Sequence, residues 1–268
     1  YNALISACEK GGRWMQALAL LQEVCQKSLE ADVITYSALI SSCEKGRQWE
    51  MSLETLIGMR QKALTPNVVT CSAAVSACEK GEKWEHAFRL LGEAAWRGGL
   101  TPNLITYSAA ISACSKGLHW EFSLGLLREM PPLRLEADAV TCSSAVVACG
   151  KGGQWELALT HLAEAEEWGL SDAVTASAGI SACAGAGLWT AALALFAAPE
   201  AHDSHATLAA EPPHRDLESY NTAMFACADG PVAAWPSCLA LFTELGLRRL
   251  APDPVGYRWV ARAAGRGG

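Results

Sequence analysis

Two residue types recur along this chain with one shared period. Tryptophan stands at Trp14, Trp49, Trp84, Trp120, Trp155 and Trp189, in steps of 35, 35, 36, 35 and 34 residues. Cysteine stands at Cys8, Cys43, Cys78, Cys114, Cys149 and Cys183, with the same five steps. A fixed period of this size requires an array of small units, each burying its apolar face against its neighbours, and argues against one or two closed cores. The unit is clearest at Ile34-Thr35-Tyr36-Ser37-Ala38-Leu39-Ile40-Ser41-Ser42-Cys43-Glu44-Lys45-Gly46, followed by Trp49-Glu50 and an apolar stretch through Leu53, Leu56 and Met59. A degraded copy runs from Tyr220-Asn221-Thr222-Ala223 to Cys227, with Trp235 displaced by two residues, and a further half-unit starts near Pro254.

Each unit carries two helical patterns. Tyr36, Leu39, Ile40 and Cys43 fall at i, i+3, i+4 and i+7, one face of a helix. Thr35 marks a plausible N-cap region, and Gly46 sits where a left-handed C′ residue is favoured. The second helix begins near Trp49, turns Leu53, Leu56 and Ile57 inward, and stops before Pro66. Ala17, Ser52, Ala87, Ser123, Ala158 and Ala192 follow the tryptophans by three residues and predict close helix approach. No segment alternates with period two, so the expected fold is all-α, a solenoid of antiparallel helix pairs. Seven units are drawn at about 1–32, 33–67, 68–103, 104–138, 139–172, 173–216 and 217–253, with an insertion at 197–215 and a partial eighth unit at 254–268. The insertion holds His202, His205 and His214, which read as surface loop residues because their spacing is irregular and no cysteine accompanies them.

Composition narrows the function. Charged residues break every apolar run well short of the ~18 residues of a spanning helix, so no membrane partner is expected. Eleven cysteines, an odd number without a Cys-x-x-Cys pair, suit neither a zinc ribbon nor a disulfide scaffold and fit a reducing compartment. The chain opens on Tyr1, which reads as a fragment without its natural start. No nucleophile elbow, phosphate loop, His-Glu-x-x-His helix or carboxylate cluster is present, so neither catalysis nor a cofactor or metal is expected.

Units such as Val69-Thr70-Cys71-Ser72-Ala73-Ala74-Val75-Ser76-Ala77-Cys78-Glu79-Lys80-Gly81, closing with Leu100-Thr101-Pro102-Asn103, resemble the pentatricopeptide repeat family, in its plain P-type form with 35-residue units. The resemblance implies a right-handed superhelix that binds single-stranded RNA at one base per repeat. It implies no DNA binding. Two residues of each unit would face the base edge. The first set is Asn2, Ser37, Ser72, Ser108, Ser143, Ser177 and Asn221; the second is Asp32, Asn67, Asn103, Asp138, Asp172, Asp216 and Asp253, with helix N-capping by these Asp and Asn residues as the alternative. By the family's pairing habits the array would read 5′-UAAGGGU-3′. Apolar Ile34, Val69, Ile105, Val140 and Val174 would stack on base faces, with interhelical packing as the alternative.

Lys10, Lys45, Lys80, Lys116 and Lys151 occur once per unit and would run beside the RNA phosphates; as helix C-terminal cations they also suit the macrodipole. Gly185 and Asp229 replace them in the last two units. The family setting implies RNA processing, stability or translation in a mitochondrion or chloroplast. The competing reading is a protein-binding scaffold working through an acidic convex surface, favoured by 21 basic against 28 acidic residues and a net charge of −7.

Overall fold

Every tryptophan of the 35-residue series opens a helix, and every lysine of the companion series closes one. The computed structural model describes residues 1–27, 29, 31–97, 99–197, 217–230, 234–248 and 250–267. The insertion with its three histidines, and Asp216, lie outside the described residues. The chain divides into two compact units, Tyr1–Ala137 and Asp138–Gly268. The first holds the pairs α1 (Asn2–Lys10) and α2 (Trp14–Gln26), α3 (Val33–Lys45) and α4 (Trp49–Gln61), α5 (Val68–Lys80) and α6 (Trp84–Gly92), and α7 (Leu104–Lys116) and α8 (Trp120–Glu129). The second holds α9 (Ala139–Lys151) and α10 (Trp155–Glu167), α11 (Ala173–Gly185) and α12 (Trp189–Ala197), α13 (Leu217–Asp229) and α14 (Trp235–Leu247), and the single α15 (Pro254–Gly267). Among the described residues there is no strand, and no helix is long and apolar enough to cross a membrane.

Local chemistry sets the helix ends. Asp32 is extended, and its carboxylate accepts the Thr35 N–H at 2.8 Å, capping α3. Asn67, Asn103, Asp138 and Asp172 cap α5, α7, α9 and α11 in the same way, each cap worth about 1 kcal/mol. The cap is thus three residues ahead of the predicted Thr35 region, because the carboxylate reaches the third amide of the helix. At the other end Gly46 is right-handed, at φ −79°, and the left-handed residue is Arg47, at φ 56°. Glu82 and Leu118 take the same conformation, and Gly12, Gly153 and Gly187 take it in their pairs. Glycine at position 46 therefore answers to space rather than to a left-handed cap. A β-carbon there would run into the Trp14 indole, as one on Gly81 would into Trp49, and one on Gly230 would stand 3.1 Å from Trp189.

Within each unit the first helices of successive pairs pack side by side: α1 on α3, α3 on α5 and α5 on α7, then α9 on α11, α11 on α13 and α13 on α15. Each second helix packs on its own first helix, and within the units α2, α4, α6, α10, α12 and α14 also pack on the next first helix. Leu39, Ile40, Cys43 and Met59 are fully buried between these layers, and all six small residues after the tryptophans are at 0% exposure. On α4 the inward face is Ser52, Thr55, Leu56 and Met59, whereas the predicted Ile57 is 53% exposed. Ser52, Leu56 and Met59 share the buried face, which leaves Ile57 on the solvent side.

Candidate nucleic-acid interface

The second residue of α3, α5, α7, α9 and α11 is apolar, β-branched and exposed. Ile34, Val69 and Ile105 are 62–64% exposed in the first unit, and Val140 and Val174 are 56–57% exposed in the second. Interhelical packing therefore does not account for them. α13 carries exposed Glu218 at this position, which interrupts the row.

Three of the sequence-assigned pairs meet directly. Asn2 Nδ2 donates to Asp32 Oδ2 at 3.2 Å, Ser72 Oγ to Asn103 Oδ1 at 3.2 Å, and Asn221 Nδ2 to Asp253 Oδ2 at 3.0 Å. Ser37 donates to the Val33 carbonyl at 2.7 Å and lies 2.6 Å from the Thr70 hydroxyl, while Asn67 caps α5. Ser143 and Ser177 donate to the Val140 and Val174 carbonyls at 3.0 Å, and Ser108 is half-buried on α7. Asp138 and Asp172 cap α9 and α11. The Thr35 hydroxyl and amide hold the Asp32 carboxyl below the usual carboxylate range, so it stays an acceptor.

Capping also decides which atoms are left over. The cap needs an acceptor, so Asn67 and Asn103 turn Oδ1 to the helix and keep their NH₂ donors for another partner. Asp138 and Asp172 use one oxygen and keep a second acceptor, while the second oxygen of Asp32 accepts from Asn2. Asparagine and aspartate at this one position therefore present opposite hydrogen-bonding character.

Three of the five lysines form a ladder of ion pairs. Lys45 reaches back to Glu9 at 3.4 Å, Lys80 to Glu44 at 2.8 Å, and Lys116 to Glu79. Stacked first helices place the lysine of one repeat beside the glutamate of the repeat before it. Among the described residues Lys10 and Lys151 are exposed and form no ion pair. Asp229, at the lysine position of α13, pairs with Arg262 at 2.6 Å. In the second unit a recess of about 280 Å³ gathers Lys151, Val174, Ser177 and Glu218 among α9, α11 and α13.

The tryptophans are half-buried, and those at 14, 49, 84 and 189 press on turn glycines, as packing residues should. Cys43, Cys78, Cys114, Cys149, Cys183 and Cys227 are 0–2% exposed. Among the described residues no three metal-ligating side chains cluster. Two sets went unassigned in the sequence: Glu9, Glu44 and Glu79 as lysine partners, and the buried Thr35, Thr70, Thr106, Thr141 and Thr175. Both share the 35-residue period, which was the available signal.

The geometry agrees with known proteins. The maize pentatricopeptide repeat protein PPR10 matches with a TM-score of 0.65 at 22% identity, over 97% of this chain and 36% of that one. PPR10 in complex with an 18-nt psaJ RNA element matches with a TM-score of 0.59 at 17% identity, over 99% of this chain and 43% of that one. The PPR domain of Arabidopsis thaliana protein-only RNase P 1, in complex with tRNA, matches with a TM-score of 0.57 at 14% identity, over 63% of this chain and 89% of that one. The chain thus spans about two fifths of the PPR10 structures. No curated protein sequence matches it. The model described as PPR repeat family matches residues 1–45, and that described as PPR repeat matches 34–64 and 105–131. With the same unit recurring at a constant period and folding as paired helices, the chain carries pentatricopeptide repeats at residues 1–64 and 105–131, and its fold is that of the pentatricopeptide repeat solenoids.

Proposed function

We propose that this chain binds single-stranded RNA and selects about one base per repeat. The observation that supports this most is the capping geometry of the last residue of each repeat, which lies beside the polar residue of the first helix. An end-position aspartate offers an acceptor, suited to the N1–H and N2–H donors of guanine or the N3–H of uracil; an end-position asparagine offers donors, suited to acceptors on adenine. In the Asn2/Asp32 pair, Nδ2 faces the acceptor-only carboxylate and keeps one N–H. A donor beside an acceptor complements uracil. The exposed Ile34, Val69, Ile105, Val140 and Val174 supply apolar platforms for base faces.

The proposed preference is 5′-UAAGGGU-3′, with the final uracil held least because Glu218 stands where the other repeats place an apolar residue. The sixth position requires Ser177 and Asp216 to stay in register across the insertion. The chain would act by occupying a transcript segment, without catalysis of its own, in organellar RNA processing, stability or translation. The family resemblance supports a mitochondrion or chloroplast as its place. The ladder that neutralises three lysines favours a second reading, a protein-binding scaffold.

Fluorescence anisotropy separates the two. The chain should bind UAAGGGU more tightly than a scrambled strand or a duplex. Exchanging Asn67 and Asn103 for Asp should move the preference at the second and third bases from adenine to guanine, by about tenfold each. No binding at low salt by a chain of intact helicity would leave the scaffold.

A further inference from the structure

Each reading pair of the first three junctions is closed by a hydroxyl belonging to the next repeat. Thr35, Thr70 and Thr106 are 0–1% exposed. Thr35 Oγ1 lies 2.6 Å from Asn2 Oδ1 and 2.7 Å from Asp32 Oδ1. Thr70 Oγ1 lies 2.6 Å from Ser37 Oγ and 2.8 Å from Asn67 Oδ1. Thr106 Oγ1 lies 2.7 Å from Ser72 Oγ and 2.8 Å from Asn103 Oδ1. One buried hydroxyl therefore touches both reading residues of the repeat before it. Capping needs only the backbone amide of this residue, so the hydroxyl is additional to it. Its contact with two side chains restricts the rotamers of both.

The last junction shows what its absence does. Gly256 holds the equivalent position in α15. Its N–H still donates to Asp253 Oδ1 at 2.8 Å, and Asn221 still donates to Asp253. Asn221 Oδ1, however, is buried without a hydrogen-bond partner. A β-carbon on Gly256 would stand 3.1 Å from that oxygen. The cap survives there and the clasp is missing.

We infer that the buried threonines Thr35, Thr70 and Thr106, each at the third position of a first helix, are positioning residues for base selection by the preceding repeat. This rests on the base-reading function proposed above. It follows that Asn221 with Asp253 selects its base less sharply than Asn2 with Asp32, although the side chains are the same.

The test uses the whole chain, four RNAs that differ only at the third base of UAAGGGU, and four that differ only at the first. Thr106→Val keeps shape and loses the hydroxyl; Thr106→Ser keeps the hydroxyl. Side-chain amide relaxation of Asn103 is measured on the same proteins without RNA. Thr106→Val should reduce discrimination at the third base from about tenfold to about twofold or less, leave the first base unaffected, and loosen the Asn103 amide; Thr106→Ser should restore both. Unchanged discrimination overturns the inference. So does an equal loss of affinity for all four RNAs, which is what a purely structural threonine would produce. A wild-type chain that discriminates at no base overturns base reading and the specificity role together, and an Asn103 amide equally ordered in all three proteins removes the clasp itself.

Discussion

The indole of Trp84 lies against the turn that ends the next first helix, so that a β-carbon on Gly117 would stand 2.5 Å from Trp84 Cδ1. Gly117 is right-handed, at φ −76°, a conformation open to any residue. Space makes this position glycine, and that space is filled from the preceding repeat.

Gly117→Ala should therefore destabilise the chain by about 1–3 kcal/mol, the usual result of overpacking. Without the indole, the same substitution would be neutral or gain about 0.4–1 kcal/mol by stiffening the unfolded chain. Urea unfolding of Gly117→Ala in the Trp84→Ala background checks this: the loss should vanish there, and its persistence would place the strain elsewhere.

Ser52 and Ser123 are fully buried, and their hydroxyls have no hydrogen-bond partner. Alanine holds the same position at Ala17, Ala87, Ala158 and Ala192. Ser52→Ala and Ser123→Ala should each stabilise the chain by about 0.5–1 kcal/mol, since removing an unsatisfied buried hydroxyl recovers its desolvation and alanine is the better helix former. A lowered unfolding midpoint in either variant would show that the hydroxyl is bonded after all.

Burial pushes the Cys43, Cys114, Cys149 and Cys238 thiols up to about 11, and those of Cys78 and Cys227 to about 12. In the unfolded chain these thiols ionise near ~8.5. Their native pKa is the higher one, so the stability they contribute is complete below about pH 8.5 and is lost as pH rises toward 11. Thermal midpoints at pH 7.5 and 9.5 should show the decline. Thiol titration of the native chain should find exposed Cys25 and half-buried Cys8 reactive before the buried cysteines.

If Lys45, Lys80 and Lys116 stay on their glutamates, Lys10 and Lys151 remain to meet phosphates. The log–log dependence of RNA affinity on salt should then have a slope of about −1.4, against about −3.5 for five phosphate contacts on a single strand. Replacing Glu9, Glu44 and Glu79 by Gln should raise affinity at low salt and steepen the slope toward the larger value. A wild-type slope already near −3.5 would show that RNA pulls the lysines off their partners.

Much of one repeat was legible along the chain, because its determinants are local. Tyr36, Leu39, Ile40 and Cys43 mark the apolar face by spacing alone, and Pro66 ends the second helix by chemistry alone. Asp and Asn before α3, α5, α7, α9 and α11 are readable both as caps and as base readers; the structure shows the cap hydrogen bonds, with one oxygen or the amide nitrogen left outside the cap. Ile57 was misplaced inward because periodicity does not say which of two adjacent apolar residues faces solvent.

The sequence by itself determined the period, the helix pairs and the residues that punctuate them, since capping, proline and apolar spacing act within a few positions. Only the tertiary structure decided what the repeated residues touch. Gly117 needs its small size because of Trp84, Lys80 is neutralised by Glu44, and Ser72 is held by Thr106. Each partner sits about one repeat away in sequence and comes into contact only when the first helices stack.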